Sequence, residues 1–338
     1  MANQIVVVGH GYWGKNIARN LFELGHLCGV CDVQPEALQK VASLYPGIRL
    51  YSDFEDVLAD EAVDAVAIST HASSHATLAI RAMQRGKDAF VEKPLALHYD
   101  DALQMVKVAQ ATNRILMVGH LLEYHPAVLK LAELMERGEF GRLQYLYSNR
   151  LNLGRFRREE NILWSFAPHD IAVALRLVGE RPIEVLATGG AYLQPNVADT
   201  TVTSLLFDNG VRAHIFVSWL HPYKEQKLIV MGSQKMAVFD DSAPPGEKLI
   251  LHDKGASWVN NIPVPRKGDG TPVAYQHDEP LRLEMSHFIS CVRTRQQPKT
   301  DGWNGLRVLE VLQAAQHSLQ TGGSRVPLWK RSPALSAI

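Results

Sequence analysis

Over roughly the first 120 residues, short unbroken apolar runs alternate with segments whose apolar residues recur every three or four positions. The runs are Ile5 to Val8, Leu27 to Cys31, Ile48 to Tyr51, Asp64 to Ser69, Asp88 to Val91 and Ile115 to Gly119. Their shortness and two-sided apolarity predict buried parallel strands. The segments between them predict helices. One follows Gly14, with Ile17, Leu21 and Leu24 on one face; others span Glu36 to Leu44, Phe54 to Leu58 behind an Asp53 cap, Ser74 to Gln84, and Asp101 to Ala111. Strand and helix in strict alternation make a doubly wound parallel sheet, an α/β Rossmann-type domain.

The pattern changes after Leu121. A helix over Ala127 to Arg137 leads into Leu143 to Arg150, where apolar and polar residues alternate as in a half-buried strand. Further strands are expected over Ile183 to Tyr192, Thr200 to Phe207, Val211 to Trp219 and Lys227 to Met231, with Asp208-Asn209-Gly210 as a hairpin turn. Adjacent strands without intervening helices imply a C-terminal α+β domain with a mostly antiparallel sheet. Residues 240–278 are rich in Pro, Gly and Asp and read as loops. Helices over Glu279 to Arg293 and Gly305 to Leu319 close the chain. The expected division is 1–121, 122–329 and a tail, 330–338.

Composition narrows the partners. The 338 residues carry 35 basic and 35 acidic side chains, so no general attraction to nucleic acid or an anionic membrane is expected. No apolar run approaches the roughly 20 residues of a membrane span. The N-terminus enters a strand directly, and three cysteines form no complete disulfide set, so a cytoplasmic location is expected. Cys28 and Cys31 form a C-x-x-C inside an apolar strand, the wrong setting for a stabilised thiolate. No His or Cys pair has metal-ligand spacing beside an acid, so no metal is expected.

The chemistry concentrates at strand ends. Gly9, Gly11 and Gly14, with Tyr12 and Trp13 between, have the G-x-G-x-x-G spacing after a strand and before a helix. Gly9 suits the tight turn, Gly11 lets a pyrophosphate approach the backbone, and Gly14 lets helix and strand pack closely. Asp32 ends the second strand 18 residues after Gly14, where an acid binds ribose hydroxyls and repels a 2′-phosphate; the cofactor is therefore expected to be NAD. Ligands of such sheets lie beyond the carboxyl ends of the strands. That rule selects Ser69, Thr70, His71, Glu92, Lys93 and His120, with His75 one turn further, as pocket-lining. A lysine held there by Pro94, near the positive nicotinamide ring, should lose proton affinity and could accept a hydroxyl proton.

The glycine fingerprint followed about 80 residues later by Glu92-Lys93-Pro94 resembles the Gfo/Idh/MocA oxidoreductases. The resemblance implies that Lys93 sits beside the nicotinamide and the reacting hydroxyl. The stretch Trp164 to Asp170 is similar to the family's second active-site segment, in which an Asp precedes a His by four residues. His169 matches that histidine; Ser165 occupies the Asp position, leaving Asp170 as a substitute orienter. Gly119 to Val128, Ser148 to Gly154 and Ser218 to Lys224 resemble the family's sugar-nucleotide branch. By that resemblance Lys93 and His169 are catalytic, and Glu123, Tyr124, Arg150, Asn152, Trp164, Ser165 and Lys224 join them in substrate binding. Arg155, Arg157 and Arg158, with Arg150 and Lys224, could hold a diphosphate. The implied reaction is NAD-dependent oxidation of the sugar 3-hydroxyl of UDP-N-acetylglucosamine, on the route to the diamino sugars of lipid A. Other readings are a dehydrogenase of UDP-N-acetylhexosaminuronates or polyols, or a non-catalytic NAD-binding sensor. Tyr145, Tyr147, Phe216 and Trp219 suggest a sheet face covered by another subunit, in a homodimer or homotetramer.

Overall fold

The computed structural model describes residues 4–154, 156–158, 160–253, 255–266 and 268–328. Arg155 and the expected tail, 330–338, lie outside the described residues. The chain forms two compact units, and they do not follow a single cut. The first comprises residues 1–124 and 278–309; the second comprises 125–277 and 310–338. A division at 121/122 therefore misses the return of the chain to its first unit.

In the first unit, β1 (Ile5–Val8), α1 (Gly14–Glu23), β2 (Leu27–Cys31), α2 (Pro35–Leu44), β3 (Arg49–Tyr51), α3 (Phe54–Ala59), β4 (Ala65–Ile68), α4 (Ala72–Gln84), β5 (Asp88–Glu92), α5 (Tyr99–Thr112) and β6 (Leu116–Gly119) succeed one another. A short 3-10 turn, Leu121–Tyr124, follows. The sheet order is β3-β2-β1-β4-β5-β6, with every neighbouring pair parallel. The order reverses direction between β1 and β4, and that switch point opens the crevice in which such sheets bind ligands. All of β1 and β4 is buried. Each large apolar side chain removed from water there contributes roughly 1.5–3 kcal/mol.

The second unit starts with α6 (Pro126–Glu136), β7 (Leu143–Leu151), α7 (Ile162–Val178), β8 (Pro182–Gly190), β9 (Thr200–Phe207), β10 (Arg212–Ser218), β11 (Glu225–Gly232) and β12 (Met236–Asp240). Four further strands fall where loops were expected: β13 (Leu249–His252), β14 (Gly255–Val259), β15 (Ile262–Arg266) and β16 (Gly270–Pro272). Their prolines hid them. Pro263, Pro265 and Pro272 sit in edge or two-stranded pairings, where a missing N–H is tolerated. α8 (Pro280–Thr294) and the first residues of α9 (Gly302–Gln320) count with the first unit, the rest of α9 counts with the second, and β17 (Val326–Pro327) is the last strand described. The large sheet has the order β16-β13-β12-β11-β7-β10-β9-β8-β17. Only β7 and β10 pair in parallel; the other neighbours are antiparallel.

In β10, Ala213, Ile215 and Val217 are buried on the side that packs against α7, while His214 and Phe216 are half-buried on the other. Trp219 is 1% exposed and belongs to the core. It is therefore not part of the open aromatic face, which consists of Tyr145, Tyr147, His214 and Phe216. There the Tyr147 and His214 rings stack at 5.0 Å.

Candidate active site

The glycine turn between β1 and α1 has two different needs. Gly9 adopts φ +90°, and a Cβ on it would lie 2.8 Å from the Ser69 carbonyl oxygen. A Cβ on Gly14 would lie 1.9 Å from the Gly9 oxygen. Both positions are closed to any side chain. Gly11 has no atom within 4 Å of a would-be Cβ, so it borders open space. That bare backbone, with no acidic residue in the first turn of α1, fits a pyrophosphate at the helix N-terminus. Tyr12 is exposed beside it, and Lys15 Nζ lies 5.4 Å from its ring centre. At the end of β2, the Asp32 carboxylate accepts from the His10 N–H at 2.6 Å and the Gln34 N–H at 2.9 Å. The two bonds fix the carboxylate at the carboxyl end of β2.

At the end of β4, Thr70 Oγ1 lies 2.7 Å from Ser74 Oγ, and His71 is exposed at the N-cap of α4. His75, one turn further, is buried. Its Nδ1 lies 2.9 Å from the Pro94 oxygen and its Nε2 lies 3.2 Å from the Thr70 oxygen. The ring ties the end of β4 to the peptide after Lys93. Lys93 itself is half-buried at the carboxyl end of β5. Its backbone N–H donates to its neighbour's carboxylate, Glu92 Oε2, at 3.2 Å. Burial pushes the Glu92 carboxyl up to about 7, against the opposing pull of the Lys93 charge and a hydrogen bond from Trp13.

His120, Glu123 and Tyr124 form a buried scaffold. His120 Nδ1 donates to Asn304 Oδ1 at 2.7 Å, Asn304 Nδ2 donates to Glu123 Oε1 at 3.1 Å, and the Tyr124 hydroxyl lies 3.1 Å from Thr300 Oγ1. Burial pulls His120 down to about 4, so its ring is neutral. Sequence reasoning missed Asn304 and Glu284, which lies fully buried on α8 near Glu92 and Glu123. A signal existed for Glu284. It shares the stripe of Leu281, Met285 and Phe288 at helical spacing, an odd place for an acid.

In the second unit, Asn161 caps α7 by accepting from the Trp164 N–H at 3.2 Å. The Trp164 indole donates to Gln316 Oε1 at 3.0 Å. Ser165 and His169 lie four residues apart on one face of α7, the serine buried and the histidine half-buried. Asp170 does not orient His169. Its carboxylate accepts from Ser148 Oγ at 2.5 Å and from Arg150 Nε and Nη2 at 2.7 and 3.2 Å. Consecutive helical residues also point about 100° apart.

The same pair changes the role of Arg150. Its side chain is only 12% exposed and already neutralised by Asp170. The Gln226 amide, oriented with its oxygen toward Arg150 Nη1 at 3.2 Å, extends the network to Asp241. Burial alone would raise the Asp241 carboxyl, but hydrogen bonds from His125 and Lys248 hold it well below the ordinary range. Arg157 pairs with Glu160 at 2.8 Å. Arg158 and Lys224 are exposed, and Asn152 is half-buried. Among the described residues, no group of three His, Cys, Asp or Glu could hold a metal ion, and no helix is long and apolar enough to cross a membrane.

Comparison with known proteins places this arrangement. Residues 3–120 match the oxidoreductase family with an NAD-binding Rossmann fold, and residues 128–238 match the Gfo/Idh/MocA C-terminal domain. The chain belongs to the Gfo/Idh/MocA family of oxidoreductases, and its cofactor is NAD. Among individual relatives, it is 27% identical over 304 residues to the UDP-N-acetylglucosamine 3-dehydrogenase of Acidithiobacillus ferrooxidans, covering 90% of this chain and 93% of that one. A solved structure of that enzyme superposes with a TM-score of 0.84 at 26% identity, over 95% of this chain and 98% of the other. The chain is also 27% identical over 323 residues to the NAD-dependent scyllo-inositol 2-dehydrogenase of Bacillus subtilis, with 92% and 91% coverage. The WlbA dehydrogenase of Bordetella pertussis, solved with NADH and UDP-GlcNAcA, has a TM-score of 0.78 at 25% identity, over 97% and 99% of the two chains.

Proposed function

We propose that this oxidoreductase is an NAD-dependent dehydrogenase that converts the sugar 3-hydroxyl of UDP-N-acetylglucosamine to a ketone. The observation that carries the reaction type is Lys93. It stands at the carboxyl end of β5, two strands from the glycine turn on β1, in the crevice side of the sheet. The backbone around Gly11 and the start of α1 would hold the pyrophosphate, and Asp32 the adenosine ribose. The bound cofactor supplies a hydride acceptor. Lys93, in its neutral form, takes the hydroxyl proton as the carbon gives up hydride. We assign His169 to assist it, on the likeness of its segment to the family's. For the substrate, the support is the similarity to the sugar-nucleotide enzymes.

One observation favours a second reading, a polyol such as an inositol. Arg150 is engaged by Asp170, which removes a cation that a diphosphate would use. Purified protein should be incubated with NAD and a panel of UDP-N-acetylglucosamine, a UDP-N-acetylhexosaminuronate and inositols, with the ketone trapped and NADH followed by absorbance. We expect turnover of UDP-N-acetylglucosamine, lost in Lys93→Ala, and at least a tenfold higher KM in Lys224→Ala, or about 1.4 kcal/mol of lost binding. Turnover of inositols alone would establish the second reading. Tight NAD binding with no turnover of any alcohol would make the chain a sensor. We also propose that a second copy of the chain covers the aromatic face formed by Tyr145, Tyr147 and Phe216.

A further inference from the structure

The glycine turn stands at the carboxyl ends of the parallel strands. The first unit has a second concavity at the opposite edge of the sheet, where β4, β5 and β6 begin. It spans about 480 Å³, within the range of small-molecule sites. One wall is apolar and made of Leu58, Val63 and Val292, each buried. The rest of the lining is charged, with five basic and three acidic side chains.

Three of the five cations are already committed. Lys87 Nζ donates to the Asp60 and Val63 oxygens at 2.7 and 3.0 Å. Arg114 donates to the Thr112 and Gly86 oxygens at 3.3 and 3.0 Å. Arg295 forks onto the Asp88 carboxylate at 2.5 and 3.0 Å and so neutralises one of the three acids. A second acid, Asp64, accepts from the Gln4 N–H at 2.8 Å, and the third, Glu61, is exposed. The two cations left over are Arg85 and Arg293. Arg85 closes α4, and Arg293 lies in the last turn of α8. The negative ends of those helices explain why cations stand there. They do not explain two open forks in one cavity: both side chains are exposed, and neither has a hydrogen-bond or ion-pair partner among the described residues.

We propose that this cavity binds a small organic dianion, held by the forks of Arg85 and Arg293 against the wall of Leu58, Val63 and Val292. A guanidinium offers parallel N–H donors that match the oxygens of a carboxylate or a phosphate. Two such forks match two negative charges, and the apolar wall accepts a short carbon body. Glu61 and Asp64 set the upper limit on charge and length, because they repel a polyphosphate that reaches across the cavity. The ligand class is therefore a dicarboxylate or the phosphate monoester of a short carbon chain. The site is separate from the cofactor crevice, since its lining includes no residue of the glycine turn and none at the carboxyl end of a strand. A bound dianion joins the end of α4 to the end of α8 and so stabilises the first unit.

Titration calorimetry on the full-length protein tests the site, with glycerol phosphate and succinate as the probes. Saturating NAD keeps the glycine turn occupied, so that neither probe competes for it. We expect one or both probes to bind once per chain with a Kd of about 1 mM or tighter. Binding should weaken as salt is added, because the forks are open to solvent, and it should raise Tm. Glycerol phosphate alone would assign a phosphate monoester, and succinate alone a dicarboxylate. The double variant Arg85→Ala, Arg293→Ala should weaken binding by about tenfold or more. Arg85→Lys with Arg293→Lys keeps both charges but loses the forks, and should fall between that variant and the parent. Arg325→Ala, which removes an exposed cation from the second unit, should bind as the parent does. Melts without a probe show whether each variant folds; if the alanine pair does not, the lysine pair decides. No saturable binding of either probe overturns the site. So does binding that survives at parental strength in the double variants, or a loss in Arg325→Ala equal to theirs.

Discussion

Two buried groups beside Lys93 pull folding in opposite directions as pH changes. His120 is lowered by burial from 6.5 to about 4. Below its ordinary value the unfolded chain takes a proton that the folded chain refuses. The stability His120 contributes is therefore whole above 6.5 and lost as pH falls through 4, a difference on the order of 3 kcal/mol. Glu92 is raised by burial from 4.5 to about 7. Its contribution is whole below 4.5 and lost as pH rises through 7, again on the order of 3 kcal/mol. The two nearly cancel in the parent protein. Urea unfolding should show that His120→Gln loses stability as pH rises through this window, and that Glu92→Gln gains it. Parallel pH slopes for both variants and the parent would count against both assignments. This opposition is hidden in the sequence. A histidine or glutamate at a strand end reads as pocket-lining, and nothing local reports that Asn304, 184 residues away in the chain, covers His120. The place of Asp32 at the end of β2 was legible because strand periodicity is local.

At the scale of elements, the β1–α1 turn and the β7–α7 contact respond to substitution in different ways. Gly11→Ala adds a methyl group to open space and should keep the fold, but it blocks the approach of a pyrophosphate. Gly14→Ala drives a Cβ into the Gly9 carbonyl and should weaken the fold as well. Calorimetric NAD titration and thermal melts separate the two: both variants lose NAD affinity, and only Gly14→Ala loses Tm. The β7–α7 contact rests on a buried ion pair. Arg150→Ala leaves Asp170 charged, buried and short of a partner, and should cost about 3–5 kcal/mol of stability. The exposed Lys224→Ala should change stability by less than about 0.5 kcal/mol. An Arg150→Ala variant with parental urea stability would return Arg150 to the pool of open, substrate-facing cations. The strand pattern showed Arg150 on β7 but could not show that Asp170 on α7 had claimed it. The opposite end of the parallel sheet shows the same economy. Lys87 donates to the Asp60 and Val63 carbonyls, Arg114 to those of Gly86 and Thr112, and Arg295 to those of Val292 and Asn113. These cations cap the carbonyl ends of α3, α4, α5 and α8, so their clustering follows from the helix termini gathered there.

For the chain as a whole, periodicity located nearly every element of the parallel sheet, because buried strands and amphipathic helices each have a period of their own. It could not show which unit the last helices join. Only long-range contacts do that: Arg295 pairs with Asp88, and the Val118 N–H donates to the Thr300 oxygen at 2.7 Å, covering the free edge of β6. Periodicity likewise showed an aromatic face on the large sheet but misplaced Trp219, because residues 213, 215, 217 and 219 share the inward parity of β10. What remains on the outer face is a coherent patch, with Tyr145, Tyr147 and His214 in mutual contact and Phe216 and Val202 beside them. A two-fold axis would bring the same patch of two copies together, and our proposal is that a second copy buries it in this way. Light scattering coupled to size-exclusion chromatography should therefore give at least twice the single-chain mass. Tyr147→Glu with Phe216→Glu should reduce it to the single-chain mass without unfolding the protein, since both side chains face away from α7. A parent protein that elutes at the single-chain mass across micromolar concentrations would refute the covered face.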